Sequence, residues 1–306
     1  MSRTALHVQT AVRRLPDWLR KDLAPGQEAA RTDALIKDLG LHTICESGRC
    51  PNRNECYSQK TATFMILGDV CTRSCSFCSV STGRPDTLDA DEPRRVAEAV
   101  RTLGLQHVVV TSVNRDDLPD EGAGHFIRVI EEIRETSPEL IIEILTPDFK
   151  RTQKQAVALI AQSGPDIFNH NLETVPGLYR KVRPQGDYPR SLQIFREIRS
   201  LSSKILTKSG LMLGLGETRE EVLRVLGDLR AAGCDILTLG QYLQSSAVGL
   251  PVTEYIHPDV FSDYKRQALS LGFTWVESGP FVRSSFHARE SFRALKAALG
   301  KGREGA

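Results

Sequence analysis

No stretch of the 306-residue chain approaches the ~18 consecutive apolar residues that suggest a spanning helix, and Met1 to Leu15 lacks the continuous apolar core of a secretory signal. Neither a membrane protein nor an exported one is expected, and the expected compartment is the cytoplasm. Charge of one sign is scarce as well. A formal net charge of +2 is too mild for a nucleic-acid footprint, which normally shows as a clustered basic stripe. There is no internal repeat and no low-complexity segment. With 40% hydrophobic and 25% charged residues, the composition is close to the globular average. One faint leader-like feature remains: Arg3, Arg13 and Arg14, with no acid in the first sixteen residues, weakly resemble an organelle transit peptide.

Cysteine is almost missing from most of the chain. The 228 residues after Cys78 hold only Cys234, while six of the seven cysteines fall between Cys45 and Cys78. Without an export signal, that clustering points away from a disulfide framework and toward metal or redox chemistry. The segment from about Asp38 to Ser79 has little apolar periodicity and carries Gly48, Pro51, Asn52 and Asn54, so it reads as loop shaped by ligation.

Beyond it, β-rich runs alternate with amphipathic stretches. Strands are expected at Thr61 to Leu67, His107 to Thr111, Leu140 to Leu145, Asp166 to Asn169, Gly210 to Gly214, Asp235 to Leu239 and Phe273 to Glu277. Val96, Val100 and Leu103 lie at helical spacing, as do Phe126, Ile130 and Ile133, and Val222, Leu226 and Leu229. Such βα units close into a full or partial parallel barrel, with the active site at the strands' C-terminal ends. Polar clusters stand there: Thr111-Ser112-Val113-Asn114, Asn169-His170-Asn171 and Gln241-Tyr242.

Cys71-x3-Cys75-x2-Cys78 follows the first of these strands and places three thiolates in one tight loop. A four-iron cubane held by three cysteines leaves one iron open to chelate a substrate, whereas closed electron-transfer clusters normally have four protein ligands. A zinc site normally shows paired Cys-x2-Cys knuckles and four ligands, and no second knuckle is present. A ferredoxin-like carrier would not need seven βα units. The run Cys-x3-Cys-Ser-Phe-Cys resembles the signature of radical S-adenosylmethionine enzymes. That resemblance implies that the open iron binds S-adenosylmethionine and that one electron releases a 5′-deoxyadenosyl radical.

Cys45-x4-Cys50-x5-Cys56 is a second triplet, again one ligand short; by spacing alone zinc or a regulatory thiol group also fits it. Here the resemblance narrows to the lipoyl synthases. It rests on Gly40-Leu41-His42-Thr43-Ile44-Cys45-Glu46, Cys50-Pro51-Asn52, Glu55-Cys56, Thr111 through Leu118, Asn169 through Val175, Val182-Arg183-Pro184, Lys208 through Met212 and Gly240 through Gln244. It extends from about Leu15, in Leu15-Pro16-Asp17-Trp18-Leu19, to Ala288.

The resemblance implies a partial (β/α)6-type parallel barrel in three parts: residues 1–57 with the auxiliary-cluster cysteines, the barrel at 58–280, and a C-terminal segment at 281–306 with a terminal helix. Two 4Fe-4S clusters follow, with S-adenosylmethionine as co-substrate. Cys71, Cys75 and Cys78 would hold the radical-forming cluster. Cys45, Cys50 and Cys56 would hold a sulfur-donating cluster with Ser285, which stands in Arg283-Ser284-Ser285-Phe286-His287 at the family's Arg-Ser-Ser-Tyr motif. The implied reaction inserts sulfur at C6 and C8 of an octanoyl chain on a carrier-protein lysine. Expected carriers are lipoyl domains of 2-oxoacid dehydrogenase E2 subunits or glycine-cleavage H protein, with a flavodoxin or ferredoxin as electron donor and an iron-sulfur carrier for repair.

Candidate S-adenosylmethionine contacts are Ser112, Asn171, Glu173 and Lys208. Arg183 is read as meeting the carboxylate, as holding the carrier backbone, or as an exposed arginine with neither role. Trp18 is expected to pack, and Cys234 to be a small buried residue. His7, His107, His125 and His257 have no metal-site spacing. Three positions depart from the family: Phe286 for tyrosine, Glu121 for glycine and Ser245 for proline. The competing readings are another sulfur-inserting radical enzyme, such as a biotin synthase or a tRNA methylthiotransferase, and a non-catalytic two-cluster electron-transfer protein. Biotin synthase lacks the upstream triplet, and a methylthiotransferase needs an RNA-binding domain for which the chain has no room.

Overall fold

The computed structural model describes residues 14–21 and 26–285. Phe286, the terminal helix expected within 281–306 and the leader-like stretch before residue 14 lie outside them. The first elements are α1 (Gln27–Asp38), β1 (His42–Thr43), α2 (Ile44–Ser47), α3 (Arg53–Ser58) and β2 (Thr63–Ile66). The cysteine segment is thus partly helical. It was expected as loop because helices of four and six residues are too short to show periodicity. Local capping makes them: the Thr43 hydroxyl accepts from the Glu46 amide. Burial of Cys45 and Tyr57 then holds both turns against the barrel.

A two-stranded parallel ribbon follows, β3 (Val70–Cys71) with β4 (Ser81–Thr82). The chain then alternates through α4 (Glu92–Leu103), β5 (His107–Ser112), α5 (Ala123–Thr136), β6 (Ile141–Leu145), α6 (Gln153–Gln162) and β7 (Ile167–Asn169). After α7 (Tyr179–Val182) and α8 (Tyr188–Leu201) come β8 (Leu206–Leu213), α9 (Arg219–Ala231), β9 (Ile236–Gln241), α10 (Pro258–Ser270) and β10 (Trp275–Gly279). The sheet runs β1-β2-β5-β6-β7-β8-β9-β10, all parallel except β1, which lies antiparallel on β2.

All seven expected strands are present, as are the three expected helices. Val96 and Val100 on α4, Phe126, Ile130 and Ile133 on α5, and Val222, Leu226 and Leu229 on α9 are all buried against the sheet. Each fully buried aliphatic side chain contributes about 1.5–3 kcal/mol. Strand residues are buried on both faces, as a helix-covered parallel sheet requires.

Among the described residues β10 does not pair with β1 or β2, so the barrel is partial. Residues 281–285 cross this seam on side-chain contacts. The Asn52 amide donates to the Phe281 carbonyl at 2.7 Å, and the Thr63 hydroxyl donates to the Ser285 hydroxyl oxygen at 2.8 Å. Gly240 makes the crossing possible: a Cβ there would lie 2.1 Å from the Val282 carbonyl oxygen.

Candidate active site

A cavity of about 1270 Å³ opens at the C-terminal ends of the strands. Cys71, Cys75 and Cys78 line it, and so do Cys45, Cys50, Ser284 and Ser285. Five of the six clustered cysteines therefore face one chamber, larger than the ~300–1,000 Å³ of an ordinary ligand pocket, while Cys56 is not among its lining residues. All seven cysteines are free thiols.

The Cys71 loop turns immediately after β3. Its sulfurs meet backbone donors: the amides of Arg73 and Asn114 reach Cys71 Sγ at 3.4 and 3.3 Å, and that of Val80 reaches Cys78 Sγ at 3.5 Å. Such donors favour the thiolate that iron binds. Burial works the other way, pushing the Cys75 thiol up to about 11 and raising Cys78. The positive charge of Arg183 partly offsets it at Cys75. Cys75 and Cys78 would therefore give up their protons on binding a metal.

Arg73, between the first two cysteines, is buried and anchors the loop. Its guanidinium grips Asp116 through two bonds of 2.7 Å and donates to Asp148 at 2.5 Å. Arg190 on α8 donates to the other Asp148 oxygen at 3.0 and 2.7 Å. The two arginines hold the fully buried Asp148 carboxyl below the usual range despite its burial. Nothing in the cysteine spacing signals this network.

In the second group, burial raises Cys45 to about 11, against opposing contacts with the amide and hydroxyl of Thr63. Cys56, on α3, is raised to about 12 by burial and by the nearby Cys45 and Cys50 thiols. The three thiols therefore sit within electrostatic reach of one another, and Thr63 joins Cys45 to Ser285. Among the described residues no three His, Cys, Asp or Glu side chains converge on a single-ion site. A cubane, with its irons at separate corners, uses donors spread around a chamber wall. Three thiols on one side, and on the other Cys45, Cys50 and the Ser285 hydroxyl with Cys56 in electrostatic reach behind them, fit that donor set.

Of the proposed co-substrate contacts, Ser112, Asn171 and Glu173 line the cavity. The Ser112 hydroxyl is buried without a protein partner, as is that of Thr146, which also lines the chamber. Thr146 was missed, although it directly follows an expected strand. Glu173 holds a left-handed backbone (φ 68°), and burial raises its carboxyl. Arg183 is buried, not exposed, and donates to the Asn171 carbonyl at 2.8 Å.

Lys208 is elsewhere. It is buried inside the barrel, bonded to both Glu143 oxygens at 2.9 and 3.0 Å, and it does not line the chamber. Its alternation on β8 points it inward, which a position near a strand end did not reveal. His170 does line the chamber, but both its ring nitrogens are engaged within the protein. Its Nδ1 donates to the Thr146 carbonyl, its Nε2 accepts from the Ser191 hydroxyl, and burial lowers it to about 4.

The Ser245 hydroxyl contacts Ser79, and its carbonyl accepts from Arg49 at 2.9 Å, tying the two cysteine segments together. Glu121 takes a left-handed backbone (φ 54°) and accepts from the amides of Arg151 and Thr152 and the Thr152 hydroxyl, at 2.8–2.9 Å. Trp18 packs edge-on against His257 at 5.0 Å. Cys234 is fully buried. His125 pairs with Glu92, and His107 lies against Glu143.

Residues 65–229 match the model of the radical SAM superfamily. The chain is 52% identical over 280 residues to the lipoyl synthase of Caldicellulosiruptor saccharolyticus, covering 92% of this chain and 98% of that one. It is 49% identical to that of Alcanivorax borkumensis, over 96% and 90% of the two chains. Among solved structures, methylornithine synthase superposes with a TM-score of 0.53 at 15% identity, over 80% of this chain and 81% of that one. The FeFe-hydrogenase maturase HydG from Carboxydothermus hydrogenoformans gives 0.52 at 14%, over 88% and 78%. At that identity these two likenesses speak for the barrel alone.

Proposed function

Because the chain belongs to the lipoyl synthase family of the radical SAM superfamily, we propose that it inserts two sulfur atoms, at C6 and C8, into an octanoyl chain on a carrier-protein lysine. Its cofactors are two 4Fe-4S clusters, and S-adenosylmethionine is the co-substrate. The observation that carries the reading is that Cys71, Cys75 and Cys78 share one chamber with Cys45, Cys50 and Ser285. When bound, the first cluster delivers the electron that turns S-adenosylmethionine into a hydrogen-abstracting radical source, since no acid or base can open an unactivated C–H bond.

Cys71, Cys75 and Cys78 would hold that cluster, their loop fixed by Arg73. Cys45, Cys50, Cys56 and Ser285 would hold the second cluster, which is itself the sulfur substrate. The two serines differ in a way that favours Ser285. Ser284 donates its proton to Asn171, whereas Ser285 accepts from Thr63 and has no acceptor for its own proton among the described residues. An accepted hydrogen bond also stabilises the alkoxide that iron would bind. Oxygen suits iron less well than thiolate, so this corner is the weakest.

Glu173 and Arg183 supply opposite charges for the ammonium and carboxylate of S-adenosylmethionine, and the Ser112 hydroxyl is an unspent donor beside them. Met65, Val113, Leu211 and Val252 give the chamber an apolar wall that an acyl chain can occupy. The carriers would be lipoyl domains of 2-oxoacid dehydrogenases or glycine-cleavage H protein, with a flavodoxin or ferredoxin as reductant and an iron-sulfur carrier restoring the spent cluster. Seven free thiols suit a reducing cytoplasm. Among the described residues no helix is long and apolar enough to cross a membrane.

The test mixes anaerobic holoprotein with S-adenosylmethionine, a strong reductant and an octanoylated carrier domain. Two 5′-deoxyadenosines and a two-sulfur gain per carrier are expected. Formation of 5′-deoxyadenosine with no sulfur gain would sink the assignment.

A further inference from the structure

The barrel interior carries a buried ion pair, Glu143 with Lys208, that neither group of cysteines touches. It leads to the seam. The Asn169 amide donates both to Glu143 at 2.8 Å and to the Ser284 hydroxyl oxygen at 2.9 Å. Ser284 in turn donates to Asn171 Oδ1 at 2.9 Å. Its single proton and one acceptor position are both used by fully or partly buried strand-end amides. The neighbouring Ser285 has one described side-chain bond, from Thr63.

A residue held twice beside a residue held once makes a hinge with a fixed arm. Lys208 fixes Glu143, Glu143 fixes the Asn169 amide, and the amide fixes Ser284. The peptide joining Ser284 to Ser285 then carries that placement to the second residue, which lines the chamber. Gly210 keeps the arrangement open, since a Cβ there would come within 2.9 Å of Asn171 Oδ1.

We propose that Ser284 is a positioning residue: latched to Asn169 and Asn171, it sets how firmly Ser285 holds its iron and hence how readily the second cluster opens. This rests on the ligand reading of Ser285 given above. Ser284 is not itself read as an iron ligand, and it acts on Ser285 through the placement of the backbone between them.

The test follows iron release. Holoprotein carrying both clusters, without S-adenosylmethionine, is mixed anaerobically with a colorimetric ferrous chelator, and the fast-released fraction is timed. Ser284→Ala should speed release of about one iron per chain roughly tenfold, the loss expected for two hydrogen bonds of ordinary net worth. Ser284→Thr, which keeps the hydroxyl, should stay near wild type. Far-ultraviolet circular dichroism should match wild type in both, which reports that the variants are folded independently of S-adenosylmethionine cleavage. Ser285→Ala serves as the reference for a missing ligand. Fast release in Ser285→Ala with wild-type release in Ser284→Ala overturns the latch alone. Fast release in Ser284→Thr as well would mean that the hydroxyl contacts are not the cause. Wild-type release in both alanine variants overturns the ligand reading and the latch together.

Discussion

Glu121 illustrates how one side chain can offset an awkward backbone. Its φ of 54° is the region glycine occupies freely and other residues occupy at a cost of roughly 1 kcal/mol. The carboxylate repays that by accepting three hydrogen bonds at the start of α6. Glu121→Ala keeps the strain and loses the bonds, so anaerobic urea unfolding should show a loss of about 2–3 kcal/mol. Glu121→Gly removes both and should cost about 1 kcal/mol less. Equal losses would mean the backbone strain is negligible. The departure from glycine was visible in the sequence, but its compensation was not, because the three acceptor contacts bridge 30 and 31 positions. Lys208 failed for a related reason: its partner Glu143 lies 65 residues away.

At the scale of elements, the Cys71 loop depends on a charge network as much as on its cysteines. Arg73, Asp116, Asp148 and Arg190 join that loop to the ends of β5 and β6 and to α8. Removing one partner of a buried pair leaves an uncompensated charge, at about 3–5 kcal/mol. Arg73→Gln should therefore lower iron occupancy of the first cluster and 5′-deoxyadenosine formation together, while the second cluster stays loaded. Iron analysis with spectroscopy of each cluster checks this; full occupancy would show that the cysteines hold the loop unaided. The seven barrel strands and the helices α4, α5 and α9 were legible because β-rich runs or i, i+4, i+7 patterns mark them, whereas α1, α6, α8 and α10 were not picked out. The helices α2 and α3 were not either, since one turn of helix carries no period, and a tertiary wall decides their shape.

Across the whole molecule, on the reading proposed above, two donor sets separate the making of a radical from the giving of sulfur. Two cubanes predict about eight irons per chain. Cys45→Ala should bring that to about four, abolish sulfur insertion and leave reductive cleavage of S-adenosylmethionine measurable. Loss of cleavage as well would contradict separate roles. The cysteine triplets made this division readable from sequence, because each is compact along the chain. The chamber they share was not readable, since it needs β2, β9 and the 281–285 segment brought together across the seam.

That seam also sets an order in time. Cys71, Cys75 and Cys78 emerge from the ribosome within eight positions of one another, but Ser285 emerges 207 residues after Cys78. At ~5–20 residues per second the interval is about 10–40 s. On the ligand reading proposed here, a growing chain can complete the radical-forming loop long before the sulfur-donating corner has its last ligand. Synthesis itself therefore makes that corner the last part of the enzyme to close.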